Sequence, residues 1–446
     1  MNRRRLAWSV ISMLVAALHA GAEQRYILRV KGAGVQNVAS RHGLLIHRGA
    51  DGGGQGLFQA TLPPGSDAGQ KLVDLRKDPG VEGIELDRVL KLPESSASPQ
   101  LSQSTAAILD ALSRRAVASY FGTSALASYV SQPAVSILRV PEAQRLSSAG
   151  GGVVAVLDTG VDFSHPVLAR SLVPGYDFTR ELPGGSEMAD LSQSTAAILD
   201  QSTAAILDKN TAAILNQSTA AILDQSTAAI LDRNKLPAAF GHGTMVAGLV
   251  HLAAPAARIM PVKVFQSDGT SNLFDIVRGI YYAADRGAKV LNLSFSMAEP
   301  SDELMKALQY ANSRRVIMVA SAGNDGKQTL VYPAALRQVT GVASTSNQDR
   351  RSDFSNYGDA LVSVAGPGEG VVTLYPGKNY ALVWGTSFST ALLSGGAALL
   401  VGIDAGTNQA QADQALSQAV PVGQGLGAGR ADLFRACLYR ASHGGN

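Results

Sequence analysis

Residues 154–160 read VAVLDTG, an apolar run that stops at an acid and a glycine. Continuous apolarity without alternation marks a strand buried on both faces, so Asp158 sits where that strand ends. Two later stretches carry the same signature of one polar group among glycines. Residues 241–248 read GHGTMVAG and residues 385–395 read GTSFSTALLSG, each opening an apolar helical pattern at His242 or Ser387. A hydroxyl becomes nucleophilic when a neutral imidazole takes its proton, and a buried carboxylate fixes the imidazole tautomer and steadies the imidazolium. A fourth stretch, VIMVASAGN at residues 316–324, ends at Asn324, whose amide can donate to a developing oxyanion.

Strands and helices alternate outward from this stretch. HGTMVAGLVHLA reads as a helix, ARIMPVKVF as a strand and NLFDIVRGIYYAADRGA as a helix. KVLNLSFS, DELMKALQYANSRR and VIMVASAGN continue the pattern as strand, helix, strand, and FSTALLSGGAALLVG is a helix opening at Ser387. Such alternation implies an α/β fold, a mostly parallel sheet with helices on both faces. Function in such sheets collects at the carboxyl edge, where Asp158 and Asn324 end strands and the Ser387 N–H opens a helix.

This set of motifs, in the order Asp, His, Ser, resembles the subtilisin-like serine proteases (subtilases). The resemblance runs from about Gln132 to Ala436 and implies catalytic roles for Asp158, His242, Ser387 and Asn324. It further implies two walls of a substrate cleft, Ser294, Phe295 and Ser296 on one side and Ser321, Ala322 and Gly323 on the other. An extended peptide would pair there through its main chain. Two positions depart from the family pattern, Ser296 where glycine is usual and Ala391 where proline is usual. Of the histidines outside the N-terminal segments, His165 is structural in the family, His251 lies on the far side of the His242 helix, and His443 is in the tail.

The chain's 446 residues, 46% hydrophobic and 16% charged, suffice for one large core and a small satellite domain. A net charge of +3 without a Lys/Arg run predicts no nucleic-acid partner. Three arginines, an apolar run over residues 6–18 and Ala20-Gly21-Ala22 read as a signal peptide, residues 1–22, of a secreted or periplasmic protein. No other segment reads as a membrane span, so no stable span is expected after signal cleavage. The single cysteine, Cys437, excludes an intrachain disulfide and reads as a small buried residue. No cofactor is expected; no compact DxDxDG loop is present, so no metal site is assigned, and structural calcium is not readable from the sequence.

Within residues 23–92, RYILRV, GQKLVDLRKD and VEGIELDRVLKL read as strand, helix, strand. This small α+β domain resembles the inhibitory propeptide of subtilases, which implies an intramolecular inhibitor cut away during maturation. Residues 93–131 are rich in Ser, Ala and Pro and read as a linker before a catalytic domain at 132–446.

Residues 193–232 consist of five near-identical octads of the type QSTAAILD, and residues 101–110 repeat the decapeptide of residues 191–200. Eight residues advance a helical apolar patch by about 80° per repeat, which spirals it around the axis. In extended chain the alternation stays in phase, giving one short strand per octad with a polar turn. A stack of short strands and an irregular surface loop both fit. The array reads as a neutral surface insert, a docking element or a propeptide tether. Two functions are therefore weighed: a self-processing endopeptidase acting on proteins or peptides, and an inactive protease scaffold that binds or displays.

Overall fold

β1 (Arg25–Val30), RYILRV, is apolar on both of its faces, and both are used. The computed structural model describes residues 24–32, 34–92, 116–191, 212–216, 219–223 and 236–443. After β1 come α1 (Val35–His42), β2 (Leu45–Gly49), β3 (Leu57–Thr61), α2 (Ala68–Lys77) and β4 (Val81–Leu86). They form an antiparallel sheet in the order β2-β3-β1-β4. Tyr26, Leu28 and Val30 pack with Val38, Leu75 and Ile84 in a core of their own, while Ile27 and Leu57 point into the core of the larger unit. This βαββαβ unit is richer than the strand, helix and strand read from its sequence.

The expected last strand of this unit breaks at Asp87. β5 (Val89–Lys91) continues by pairing with β14 (Thr270–Asn272) of the larger unit. Two carboxylates at the break reach across: Asp87 accepts from Phe274 N at 2.9 Å, and Glu85 accepts from Ser301 Oγ at 2.6 Å and Glu303 N at 3.2 Å. Both acceptors therefore sit at helix N-termini, where unsatisfied N–H groups and the dipole favour negative charge. Arg29 pairs with Glu303 and Arg48 with Asp275, which completes the contact.

The linker expectation fails for its second half. Residues 116–131 form a hairpin, β6 (Val117–Tyr120) and β7 (Thr123–Leu126), and a short helix, α3 (Ala127–Val130). Two tyrosines in this polar stretch bury their rings. Tyr120 Oη donates to Leu252 O and Tyr129 Oη to Gly248 O, each at 2.6 Å. Two further short helices follow, α4 (Pro133–Ile137) and α5 (Val140–Leu146). Residues 1–22 and 93–115, with the octad copy at 101–110, lie outside the described residues.

The large sheet has the order β10-β9-β13-β8-β15-β16-β17-β18. Its central strands are β8 (Val153–Asp158), β13 (Arg258–Lys263), β15 (Val290–Leu293), β16 (Ile317–Ser321), β17 (Thr340–Thr345) and β18 (Val364–Pro367), all parallel. Only the edge pair β9 (Tyr176–Asp177) and β10 (Leu182–Pro183) is antiparallel within it. α6 (His242–Ala253) lies on one face with α9 (Thr386–Ile403), while α7 (Leu273–Asp285) and α8 (Asp302–Ser313) cover the other. Alternate residues show why the strands are apolar throughout: Val154 and Val156 of β8 face α6 and α9, and Ala155 and Leu157 face α7. α9 has the length and apolarity of a membrane span, contrary to expectation, but 89% of it is buried inside the protein, as a core helix. α10 (Gln409–Leu416) and α11 (Leu433–Ser442) close the fold, and Cys437 is buried in α11 with its thiol pushed up to about 12 by burial.

A second sheet carries the hairpin β19 (Glu369–Tyr375) and β20 (Asn379–Trp384). Octad segments join it: β11 (Ala212–Asn216) pairs with β12 (Thr219–Leu223) antiparallel, and Ile214 aligns with Leu382 in parallel. These octads thus follow the extended alternative, one strand per repeat. The octads at 193–208 and 225–232 lie outside the described residues.

His251 is buried under the β6–β7 hairpin, with Nδ1 3.2 Å from Ser171 Oγ and its ring edge-on to Tyr120. Burial, with nearby His165, pushes it down to about 4. The unfolded chain takes up this proton near the ordinary value of about 6.5, so stability should fall as pH drops through that window to about 4. The total is roughly 3 kcal/mol at about 1.4 kcal/mol per pH unit. Denaturant midpoints of the Ser387→Ala protein should show this slope, and adding His251→Gln should remove much of it.

Candidate active site

The apolar run of β8 ends at Asp158, whose Oδ1 accepts from Thr159 N at 2.7 Å. α6 begins at His242, and its Nδ1 lies 2.8 Å from Asp158 Oδ1 and 3.0 Å from Oδ2. Both side chains are buried. Since a carboxylate only accepts, Nδ1 carries the hydrogen and Nε2 is left as the acceptor. The approach of α6 to β8 requires glycine. A Cβ at Gly243 would stand 1.9 Å from Gly160 O.

Ser387 is the second residue of α9, entered through Gly385 at a φ of 148°. Its Oγ donates to Ser294 O at 3.4 Å, a weak bond that leaves the hydroxyl easily turned. Nucleophile–base bonds often tighten only when substrate binds. The ring of neighbouring Phe388 stands 5.7 Å from the His242 ring, so the two helix starts meet at the same edge. Asn324 lies three residues beyond β16. Its Oδ1 accepts from Thr386 N and Thr386 Oγ1, both at 2.9 Å. A backbone donor on Oδ1 settles the amide orientation and turns Nδ2 the opposite way, near Gly385.

The six expected cleft residues follow β15 and β16, but most of their side chains face inward. Ser294 Oγ accepts from Asn292 Nδ2 at 2.8 Å and donates to Ser387 O at 3.2 Å, tying the end of β15 to α9. Phe295 packs on Phe265 in the core, and Ala322 is buried. Ser321 Oγ donates to Phe295 O at 3.4 Å and so bridges the two walls. What these walls present outward is therefore main chain, together with Ser296. Ser296 Oγ stands 3.5 Å from the Cβ position of Gly323, so this side chain narrows the gap where the family usually has none.

His165 is buried with Nε2 3.2 Å from Asn379 O, and His443 stacks on Tyr439. Neither approaches Asp158 in the way His242 does. Among the described residues, no cluster of three or more His, Cys, Asp or Glu is arranged for a metal ion.

Two buried ionisable groups escaped the sequence reading. Glu187 accepts from Gly241 N at 2.9 Å, from Thr159 Oγ1 at 3.1 Å and from Thr244 Oγ1. Lys263, the β13 residue opposite Asp158, donates to Thr159 O and Phe265 O at 2.7 Å and to Asp190 Oδ2 at 2.9 Å. No motif marks either one. A signal was available only for Lys263, as a charge ending an otherwise apolar strand.

Comparison with known proteins agrees with this fold. Residues 149–431 match the subtilase family, Peptidase_S8. Thermitase of Thermoactinomyces vulgaris is 31% identical over 314 residues, covering 68% of this chain and 94% of that protein. The thermophilic serine proteinase of Bacillus sp. (strain AK1) is 31% identical over 295 residues, 65% of this chain but only 63% of that protein. In structure, the chain is similar to fervidolysin of Fervidobacterium pennivorans, a keratinolytic enzyme related to subtilisin. There the TM-score is 0.65 at 20% identity, over 94% of this chain and 62% of that one, a likeness of fold. With the matched family segment carrying Asp158, His242, Asn324 and Ser387 at one edge of the sheet, the chain belongs to the subtilase family.

Proposed function

We propose that this protein is an exported serine endopeptidase, made as a precursor that processes itself. The buried Asp158–His242 bond of 2.8 Å, set beside the helix start that carries Ser387, is the observation that carries the reading. Ser387 Oγ attacks the carbonyl carbon of a peptide bond while His242 Nε2 takes the hydroxyl proton. Asp158 holds the ring and stabilises the imidazolium. The oxyanion forms between the Asn324 amide and the Ser387 N–H, which stands in the first turn of α9. As the C–N bond breaks, His242 returns the proton to the leaving amine. Water then takes the serine's place, and the acyl-enzyme is hydrolysed by the same steps. Substrates are proteins or peptides bound in extended form between the walls after β15 and β16.

The N-terminal unit acts in this reading as an intramolecular inhibitor. Its support is the docked sheet, with Glu85 and Asp87 at the N-termini of α8 and α7 and the β5–β14 pair beyond them. Residues 1–22 act as the export signal, giving a secreted or periplasmic product.

Three outcomes test these assignments. Wild-type protein should react with a fluorophosphonate probe at Ser387 and lose residues before the catalytic unit. The Ser387→Ala protein, expressed without another protease, should do neither and persist as precursor. Normal cleavage of that variant would refute self-processing. Asn324→Ala should lower kcat by about a hundredfold or more at nearly constant KM, the effect of losing one oxyanion donor. Finally, a fragment of residues 23–92 should inhibit the mature enzyme. The same fragment with Glu85→Ala and Asp87→Ala should bind roughly tenfold or more weakly, since each lost cap is worth about 1 kcal/mol. Equal inhibition by the two fragments would exclude a capping role.

A further inference from the structure

The reaction as written uses one carboxylate, yet a second stands directly behind it. Glu187 is fully buried in a single turn, Glu187–Asp190, shortly before the octads. Its three donors are placed in a telling way: Thr159 follows Asp158, Gly241 precedes His242, and Thr244 stands two residues beyond it. Thr159 Oγ1 also accepts from Gly243 N at 2.9 Å, and Thr244 Oγ1 accepts from Asp162 N at 2.7 Å. One side chain thus joins the end of β8 to the start of α6, the two segments that must hold Asp158 and His242 together.

A neutral amide could make a similar bridge, whereas this group is an acid at a helix N-terminus, where negative charge is favoured. Every group facing it bears on its charge. From the β8 end come Asp158 and Asp162, from β13 Lys263 and from β19 Tyr375, while from α6 it meets the Gly241 N–H, one residue before His242. Asp190 of its own turn is engaged by Lys263 and Arg180. Burial pushes Glu187 up, with Asp158 and Asp162 adding to the rise, while the Thr244 bond and Lys263 favour its carboxylate form. Burial lowers Lys263 to about 8, and raises Tyr375 so that it stays neutral.

We propose that Glu187 is a positioning residue whose carboxylate holds Asp158 and His242 in register and whose charge favours the protonated His242 formed during turnover. This rests on the endopeptidase reading above. Removing the charge makes His242 a weaker base, so its proton leaves at lower pH.

Glu187→Gln is the informative variant, because its carbonyl can keep the Gly241 and Thr159 bonds and its amide can donate to Thr244. Expected are a kcat lower by about tenfold, KM within about twofold, and an acid limb of the pH–rate profile displaced downward by roughly half a unit or more. Glu187→Asp keeps the charge but withdraws it. Its acid limb should stay near that of the wild type while kcat falls. The same displacement should appear without turnover, as a lower-pH titration of the His242 imidazole nitrogens by NMR in Glu187→Gln/Ser387→Ala than in Ser387→Ala. If limb and titration are both unmoved in the Gln variant, or if thermal stability alone falls, Glu187 is a structural brace and the proposal fails. Wild-type protein that neither labels nor cleaves would refute the endopeptidase reading instead, and the NMR comparison would still decide the role of Glu187.

Discussion

The buried bond between Asp158 and His242 joins a strand end to a helix start, and the geometry of the whole carboxyl edge depends on how closely those two segments meet. Closeness is set by backbone, since Gly160 O occupies the space that any side chain at Gly243 would need. A substitution there would push α6 off the sheet and stretch the 2.8 Å contact. Buried charges are costly unless every lone pair is used. Around this pair they are used: Thr159 N serves Asp158, while Thr159 Oγ1, Thr244 Oγ1 and Gly241 N serve Glu187. Lys263 supplies the nearby positive charge, its own three bonds all made.

Parallel pairing then brings the other groups to the same place. Strands running one way all end on one edge, and β8 and β16 deliver Asp158 and, after a short turn, Asn324. Helices α6 and α9 pack on one face against Val154, Val156, Ile317 and Val319, so their N-termini emerge together. His242 and Ser387 are neighbours for that reason, though the 145 positions that separate them in sequence would allow many other arrangements. Asn324 is locked by the Thr386 N–H at the mouth of α9, which couples its amide to the helix that carries Ser387.

Those parts of the fold that depend on local pattern were legible in the sequence. Apolar runs ending in Asp158 and Asn324, and helices opening at His242 and Ser387, can be read because burial on both faces erases alternation and glycine marks close approach. Parts that depend on long-range partners were not legible. Residues 116–131 look like a linker by composition, and only the bodies they meet show that Tyr120 and Tyr129 are core residues. β2 and β3 are only five residues each and are joined by the glycine-rich stretch DGGGQG, so these strands are stabilised by sheet neighbours more than by their own pattern. Phe295 and Ser321 were placed in the cleft by motif, yet their side chains belong to the core and to a bridge between walls. Glu187 was invisible because a lone acid carries no spacing.

The turn containing Glu187 also explains why a repeat array can stand between Asp158 and His242. Asp190 is held by Lys263 and Arg180, and Glu187 by the starts of both motifs, so the chain is pinned to the sheet before the octads begin. On the far side Phe240 is buried and α6 starts two residues later. With both ends fixed by contacts that the repeats do not make, lengthening the insert alters mainly loop entropy. That quantity grows as the logarithm of length, about 0.6 kcal/mol for each doubling. Whole octads add an even number of residues, which preserves the period-two phase of an extended chain. A period of eight is thus the kind of duplication that the site can tolerate, since it changes neither the register of the added strands nor the anchoring of Asp158 and His242.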